Sequence, residues 1–467
     1  MAIKFGTSGW RGVISDDFTF DGVRKAAQAI SDYSKTKEKR FLKNGLIVGY
    51  DTRFLSEKYA LACAEVISSN GIKAVLTKRD TPTPVISYEI IKKKFAGGIN
   101  ITASHNPPDY NGIKFSPSWG GPALPETTKM LEALANAPGI SVKNGDSSRI
   151  ETADFREDYL KDIRNKVDMK LIKKAGIKAG MDPLYGTGRG YLDVLLRECC
   201  RKVEVFHDYR DAMFGGSSPE PAPEKLKELI LAVRSQKLTL GLSTDGDADR
   251  FGILDRDGTF LTPNEVLSML LLYLKKSRGW KGCVVRSVAT THLIDRIAVK
   301  YGIPVRETPV GFKYIGEIMV KEPMIIGGEE SGGLTVLGHV PEKDGILACM
   351  LMLEMAASEK KSFRDILKGI YKEVGYVTTG RDNIRLAESA KKRLVEKLRD
   401  DPPKVFGEFE VSDINAADGF KFLFKGGSWL MIRLSGTEPL VRCYTESDSA
   451  AKLKALRKAG AKFIGAI

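Results

Sequence analysis

Short apolar runs alternate along this chain with stretches whose apolar residues recur at helical spacing. The run 46–50, Leu-Ile-Val-Gly-Tyr, is followed by Asp51-Thr-Arg53, a helical pattern over 58–68 and a second run at 72–76. The run 177–181 leads through a Gly-rich turn into a helical pattern over 191–198 and then 203–206. The run 283–287 leads into a helical pattern over 292–300 and then 303–305. Each reads as strand, turn, helix, strand, which predicts α/β units with buried, largely parallel strands.

A third apolar run closes each unit and ends in a polar loop. Residues 97–102 lead into Ala103-Ser-His-Asn-Pro107, residues 238–242 into Asp245-Gly-Asp-Ala-Asp-Arg250, and residues 324–327 into Gly328-Glu-Glu-Ser-Gly-Gly333. Open α/β sheets bind ligands at such strand ends. From about residue 370 the pattern changes. Asp418-Gly419 and Lys425-Gly-Gly427 separate strand-like runs, and a last helix starts at Ala450. The expected fold is three similar α/β domains with mixed sheets plus a smaller C-terminal α+β domain, divided at 1–146, 147–252, 253–369 and 370–467.

The 467 residues, at roughly 150 per domain, agree with three or four units. With 42% hydrophobic and 28% charged residues the composition is that of a globular protein. The net charge of +14 admits nucleic acid, an anionic membrane or anionic small molecules as partners. The basic residues are mostly lysines scattered through helical stretches. No basic arm or aromatic-interleaved run suits base stacking, so nucleic acid is not expected. The most apolar stretch, 266–274, is interrupted by Ser268 and falls far short of the ~20 residues a membrane span needs. No signal-like apolar core follows Met1, and the six cysteines show no C-x-x-C, so a cytoplasmic protein with reduced thiols is expected.

The loops carry the chemistry. In 102–114, Ser104 is flanked by His105 and two prolines, and Lys114 follows Asn111-Gly112 where the chain folds back. That suits a nucleophile or phosphate carrier with a basic partner, although a surface turn would carry the same residues. Asp245, Asp247 and Asp249 alternate, so their carboxylates can converge on one divalent cation; all-oxygen ligands suit Mg²⁺. An EF-hand is excluded, because Arg250 and Arg256 stand where its Gly and Glu belong. Glu329 and Ser331 on Gly-rich backbone suit sugar hydroxyls. The segment 433–439, Arg-Leu-Ser-Gly-Thr-Glu-Pro, reads as an anion cradle of guanidinium, hydroxyls and backbone N–H groups. The cluster 186–190 misses the dinucleotide fingerprint, and no P-loop sequence occurs.

Taken in order, Gly9-Trp-Arg-Gly12 and these four loops resemble the α-D-phosphohexomutase family (phosphoglucomutase/phosphomannomutase), enzymes that move phosphate between the 1- and 6-positions of a hexose. The resemblance spans the whole chain and implies four domains around a central cleft: phosphoserine, metal-binding, sugar-binding and phosphate-binding. It implies that Ser104 carries phosphate, that His105 and Lys114 assist proton transfer and charge neutralisation, and that Arg11 contacts the phosphate. It implies Mg²⁺ held by Asp245, Asp247, Asp249 and an oxygen on Ser104, with Arg250 in the same loop. Glu329 and Ser331 would grip the sugar. Arg433, Ser435, Gly436 and Thr437 would bind the distal phosphate, and Arg286 and Lys313 would also face substrate. A hexose 1,6-bisphosphate would serve as intermediate and activator, in a monomer or homodimer that binds sugar phosphate and neither nucleic acid nor membrane.

The motifs Gly311-Phe-Lys-Tyr314 and Pro341-Glu-Lys-Asp-Gly345 resemble phosphoglucomutases, and Gly333 stands where amino-sugar and some mannose enzymes carry His. Glucose phosphate is therefore the expected substrate, with mannose phosphate as a second candidate. Three alternatives remain: a phosphoglucosamine mutase of the same family, a Mg²⁺-dependent sugar-phosphate phosphatase, and a non-catalytic binder of sugar phosphate or nucleic acid.

Overall fold

The computed structural model describes residues 2–6, 9–434 and 440–466. Four sheets follow one another along the chain. The first runs Trp10–Val13, Tyr110–Pro117, Gly97–Ile101, Leu46–Tyr50, Ala74–Thr77, Ile150–Ala153 in spatial order. The second runs Phe260–Leu261, Phe251–Leu254, Leu240–Thr244, Lys178–Asp182, Lys202–Val205, and the third Val305–Thr308, Cys283–Ser287, Met324–Gly328, Leu334–Val336.

The three sheets share one plan. The first strand of each repeat is central, with parallel neighbours on both sides. The third strand ends in the polar loop, and the chain then returns antiparallel beside it. The three loops therefore occupy the same topological position. The parallel strands are near-continuous Val, Ile, Leu and Ala because both faces are covered: Leu46, Ile47, Val48, Ile99 and Ile101 are fully buried.

The sheets reach past the expected divisions. Ile150–Ala153 pairs with Ala74–Thr77, so the first sheet continues beyond residue 146. Phe251–Leu254 and Phe260–Leu261 close the second sheet beyond residue 252, through a turn in which Gly258 has φ +77°. The hairpin turning at Asp257-Gly258 thus belongs to that sheet as its edge, where Ile253, Leu254 and Leu261 find their burial.

The run at 266–274 lies inside the helix Pro263–Arg278, started by a capping box between Thr262 and Glu265. A second helix, Gly345–Glu359, is apolar on all sides and buried along most of its length. Its first residue donates its N–H to the Ala248 carbonyl at 3.0 Å, so the helix starts against the aspartate loop. A Cβ at Gly345 would run into the Arg250 carbonyl, which reserves the position for glycine.

The C-terminal sheet is antiparallel throughout: Thr378–Arg385, Leu440–Ser447, Trp429–Leu434, Phe420–Phe424, Phe409–Asn415, Val405–Phe406. Two helices complete the domain, Glu388–Asp400 and Ala450–Gly465, the latter capped by Ser449. All six cysteines are free thiols. Among the described residues no helix is long and apolar enough to cross a membrane.

Candidate active site

The serine loop and the aspartate loop meet. Ser104 adopts φ +51°, the left-handed region, and is 1% exposed. Its N–H is held by Thr102 Oγ1 at 2.9 Å, and its Oγ donates to Asp245 Oδ2 at 2.8 Å. His105 Nδ1 lies 3.4 Å from the same Oγ. Burial, followed by Arg250 and Arg11, drives the His105 imidazole well below its usual pKa, so it is neutral at pH 7.

The three aspartates offer oxygens within 4.8 Å of one another, all fully or almost fully buried. Lys114 Nζ, on the return strand, donates to Asp247 Oδ2 at 2.5 Å and Asp249 Oδ2 at 2.7 Å. Lys343 Nζ approaches Asp249 Oδ2 at 3.1 Å and Glu342 Oε1 at 2.8 Å. Thr83, at the start of the helix Thr83–Lys93, gives its hydroxyl to Asp247 Oδ2 at 2.6 Å and its N–H to the Asp247 carbonyl at 3.0 Å. Asp245, crowded by burial and its two neighbouring carboxylates, titrates well above the usual range; at Asp249 burial is outweighed by Lys114 and Lys343 and the carboxyl titrates low.

The second oxygens of Asp247 and Asp249 are buried without a hydrogen-bond partner. Buried carboxylate oxygens left open, in an all-oxygen set with Ser104 Oγ beside them, fit a hard divalent cation such as Mg²⁺. The ammonium groups of Lys114 and Lys343 supply countercharge through the other oxygen of each carboxylate.

Near this cluster are two guanidiniums. Arg11, on Trp10–Val13, donates to Asn106 Oδ1 at 2.5 Å. Burial, then the nearby positive charge of Arg250, brings its pKa down to about 10. Arg250 Nε is buried with no hydrogen-bond partner, and its carboxylate neighbours Glu220 and Asp249 stand at 3.9 and 4.0 Å. Two neighbouring guanidiniums, one with a buried Nε lacking a partner, are a candidate anion site.

Glu329 is buried; it accepts the Gly311 N–H at 2.7 Å, and burial with the adjacent Glu330 raises its pKa to about 7. Ser331 is half-buried in the same loop, and Lys313 is buried at the start of Phe312–Lys321 with its pKa lowered by burial. Arg433 Nε donates to Asp418 Oδ2 at 3.0 Å, and that same oxygen accepts the Val310 N–H at 2.8 Å. The C-terminal domain is thus tied to the loop that carries Gly311. Ser435, Gly436 and Thr437 lie outside the described residues.

One expected substrate contact is otherwise engaged. Arg286 is 4% exposed, and its guanidinium is bound by Asp295 at 2.6 and 2.7 Å and Glu307 at 2.5 Å. Two carboxylates of the same domain fill this fork and brace the end of the strand Cys283–Ser287. Conversely, Lys343 and Thr83 carry no chemical signal of their own in the sequence. Lys343 stands out only through the family-like segment 341–345, and nothing in the sequence singles out Thr83.

Four family descriptions match in order: phosphoglucomutase/phosphomannomutase alpha/beta/alpha domain I over residues 2–139, domain II over 157–258, domain III over 262–374, and the C-terminal domain over 383–462. The chain belongs to the phosphoglucomutase/phosphomannomutase family, and is a phosphohexomutase, an intramolecular phosphotransferase. It is 30% identical to a phosphoglucomutase/phosphomannomutase of Thermococcus kodakarensis, over 99% of both chains. It is 29% identical to a Methanothermobacter thermautotrophicus protein assigned as a phosphoglucosamine mutase, over 96% of this chain and 95% of the other. A crystal structure from Thermus thermophilus, assigned as a phosphomannomutase, superposes with a TM-score of 0.86 at 34% identity over all of both chains.

Proposed function

We propose that the protein interconverts hexose 1-phosphate and hexose 6-phosphate, with glucose preferred and mannose accepted, through phosphoserine at Ser104 and a hexose 1,6-bisphosphate. The observation that carries this reading is the Ser104 hydroxyl, set against Asp245 at 2.8 Å with the Arg11 and Arg250 guanidiniums close by. Phosphoryl transfer is largely positioning plus neutralisation of oxygen charge, and both are present.

In the first half-reaction the bond from phosphorus to Ser104 Oγ breaks, and one forms to the free hydroxyl of the sugar monophosphate. The hydroxyl proton ends on Ser104 Oγ. His105 Nδ1, 3.4 Å from that atom, is within reach of the proton in transit. Lys114 stays protonated, since Asp247 and Asp249 outweigh its burial, and keeps positive charge against those two carboxylates. Asp245, Asp247, Asp249 and a Ser104 oxygen would hold Mg²⁺, which when bound neutralises charge on the transferred group. The bisphosphate then turns end for end, and its other phosphate returns to Ser104. Arg433 grips the phosphate that is not reacting, whichever end carries it. The +14 net charge helps retain the anionic intermediate.

Gluco over amino sugar is supported at Gly333. A Cβ there would collide with the Lys343 side chain, which fills the space a larger residue would need. The test supplies glucose 1-phosphate, mannose 1-phosphate and glucosamine 6-phosphate side by side, with Mg²⁺ and trace hexose 1,6-bisphosphate. Fastest interconversion of the glucose ester is expected. Comparable kcat/KM for glucosamine 6-phosphate would overturn the sugar assignment. Inorganic phosphate as the main product would replace the mutase by a phosphatase.

A further inference from the structure

Arg53 lies in the turn after the first strand of the first repeat, fully buried, and its guanidinium is ringed by acceptors. Nη2 donates to the carbonyls of Ser104 and Asn106 at 2.6 and 2.7 Å. Nη1 donates to those of Pro107 and Tyr110 at 2.7 and 3.0 Å, and Nε to Asp51 Oδ2 at 3.1 Å. All five of its N–H groups therefore have a partner. Asp51 is itself fixed by the Arg53 N–H and the Ser56 hydroxyl, each at 2.9 Å. Four carbonyls drawn from one short loop and turned toward one cation follow no regular pattern. Without the guanidinium the carbonyls of Ser104, Asn106 and Tyr110 would lose this donor, and that of Pro107 would keep only the Tyr110 N–H at 3.1 Å.

The second domain closes over this corner. The Phe214 ring sits 5.0 Å from the Arg53 guanidinium carbon, and Arg210 donates to the carbonyls of Thr52 and Arg53 and to Glu57. A Cβ at Gly246 would fall 2.8 Å from the Ser104 carbonyl oxygen. That oxygen is therefore held between the guanidinium and the bare Cα of the aspartate loop.

Building on the phosphoserine reading, we propose that Arg53 is a positioning residue that sets the register of the serine loop against the aspartate loop and thereby aims Ser104 Oγ for transfer. It touches neither substrate nor the reacting atoms. It fixes the Ser104 carbonyl, and with it a backbone conformation that serine rarely adopts. Once Ser104 is displaced, its phosphate no longer lines up with the sugar hydroxyl, while the distal grip at Arg433 is untouched. The defect should therefore fall on transfer and spare affinity.

Arg53→Lys keeps a buried cation but cannot fork to four carbonyls. It should lower kcat about 100-fold, the scale of a misplacement of about 1 Å at a reacting group, with KM for the hexose phosphate within about threefold of wild type. Arg53→Ala should regain part of the lost rate with guanidinium ion in the buffer and none with methylammonium. Independently of any turnover, hydrogen exchange at the amides of residues 103–111 should quicken in Arg53→Lys, while the amides of 430–434 stay as in wild type. Wild-type kcat in Arg53→Lys, equal rescue by both amines, or unchanged exchange at 103–111 would each overturn the proposal. If the wild-type protein itself shows no mutase activity, the proposed function fails, and the exchange measurement still decides whether Arg53 holds the loop.

Discussion

The two ends of the proposed site are built by opposite means. Around Ser104 the groups are buried and shared between domains: the serine loop comes from the first sheet, the aspartates from the second, and Lys343 from the segment before the helix Gly345–Glu359. Around Arg433 the C-terminal domain leans on the third through a mixed apolar and polar contact. Trp429, Met431 and Tyr444 pack on Val288 and Ala289. Glu446 accepts from the Thr291 hydroxyl and from Trp429 Nε1, and Lys421 donates to the Val288 carbonyl at 2.7 Å. The first arrangement holds reacting atoms still. On the proposed mechanism, the second would let one domain grip a phosphate, close, and let the sugar turn. The proposed flip of a bisphosphate without its loss would draw on both.

Substitutions that should split chemistry from grip test this contrast. The largest effect is expected for Ser104→Ala, which should lose at least about 10⁴-fold in kcat, the scale of removing a covalent nucleophile. Mass spectrometry of wild type should find one phosphate on Ser104; a Ser104→Ala variant that turns over fully would end the phosphoserine reading. Next, Asp247→Asn should cost about 10²–10³-fold in kcat, as for one electrostatic stabiliser, with weakened Mg²⁺ binding by titration calorimetry and an unchanged circular dichroism spectrum. Chelated enzyme that stays fully active would contradict the metal assignment.

At the other end, Arg433→Ala should lower kcat/KM by roughly 30- to 1000-fold, equivalent to about 2–4 kcal/mol for a charge-assisted fork to phosphate. Arg433→Lys should recover only part of this. Forward and reverse reactions should suffer alike, more free bisphosphate should appear by ³¹P NMR, and the phosphoserine already formed should persist. Loss in one direction alone would break the symmetry of the two ends.

The smallest effect concerns the interdomain contact. Burial, then Arg286, pushes Lys421 down to about 8 from 10.5, so above pH 8 the folded protein holds fewer protons than the unfolded chain. Stability at this residue therefore rises with pH between about 8 and 10.5. Wild type should gain on Lys421→Met across that window, at most on the order of 1.4 kcal/mol per pH unit, read from urea unfolding at each pH. A flat difference between the two proteins would remove the buried-lysine argument. The variant's kcat should change only a few-fold, because Lys421 lies outside the reacting cluster.

Much of the chemistry is legible along the chain because it sits on loops that interrupt a repeating pattern. Asp245, Asp247 and Asp249 announce themselves by alternation, and Ser104 by its rigid setting. Arg53 does not, since an arginine after a strand looks the same whether it faces water or a ring of carbonyls. Arg286 is equally silent: a basic residue at a strand end gives no sign that Asp295 and Glu307, from a helix and a neighbouring strand, fold onto it. Lys343 lies nearly a hundred residues from the aspartate it pairs with, a separation that no local pattern bridges.

The sequence by itself determined the three-fold repeat, the position of each polar loop after a third strand, and the distinct C-terminal domain, because periodicity and turn residues act over a few positions at a time. Tertiary structure alone decided which charges meet. Whether a lysine holds an aspartate, an arginine fills a carboxylate pair or a carbonyl finds a donor depends on the packing of sheets far apart in the chain. There burial strips away water, and each buried polar group must be answered by a partner from elsewhere in the fold.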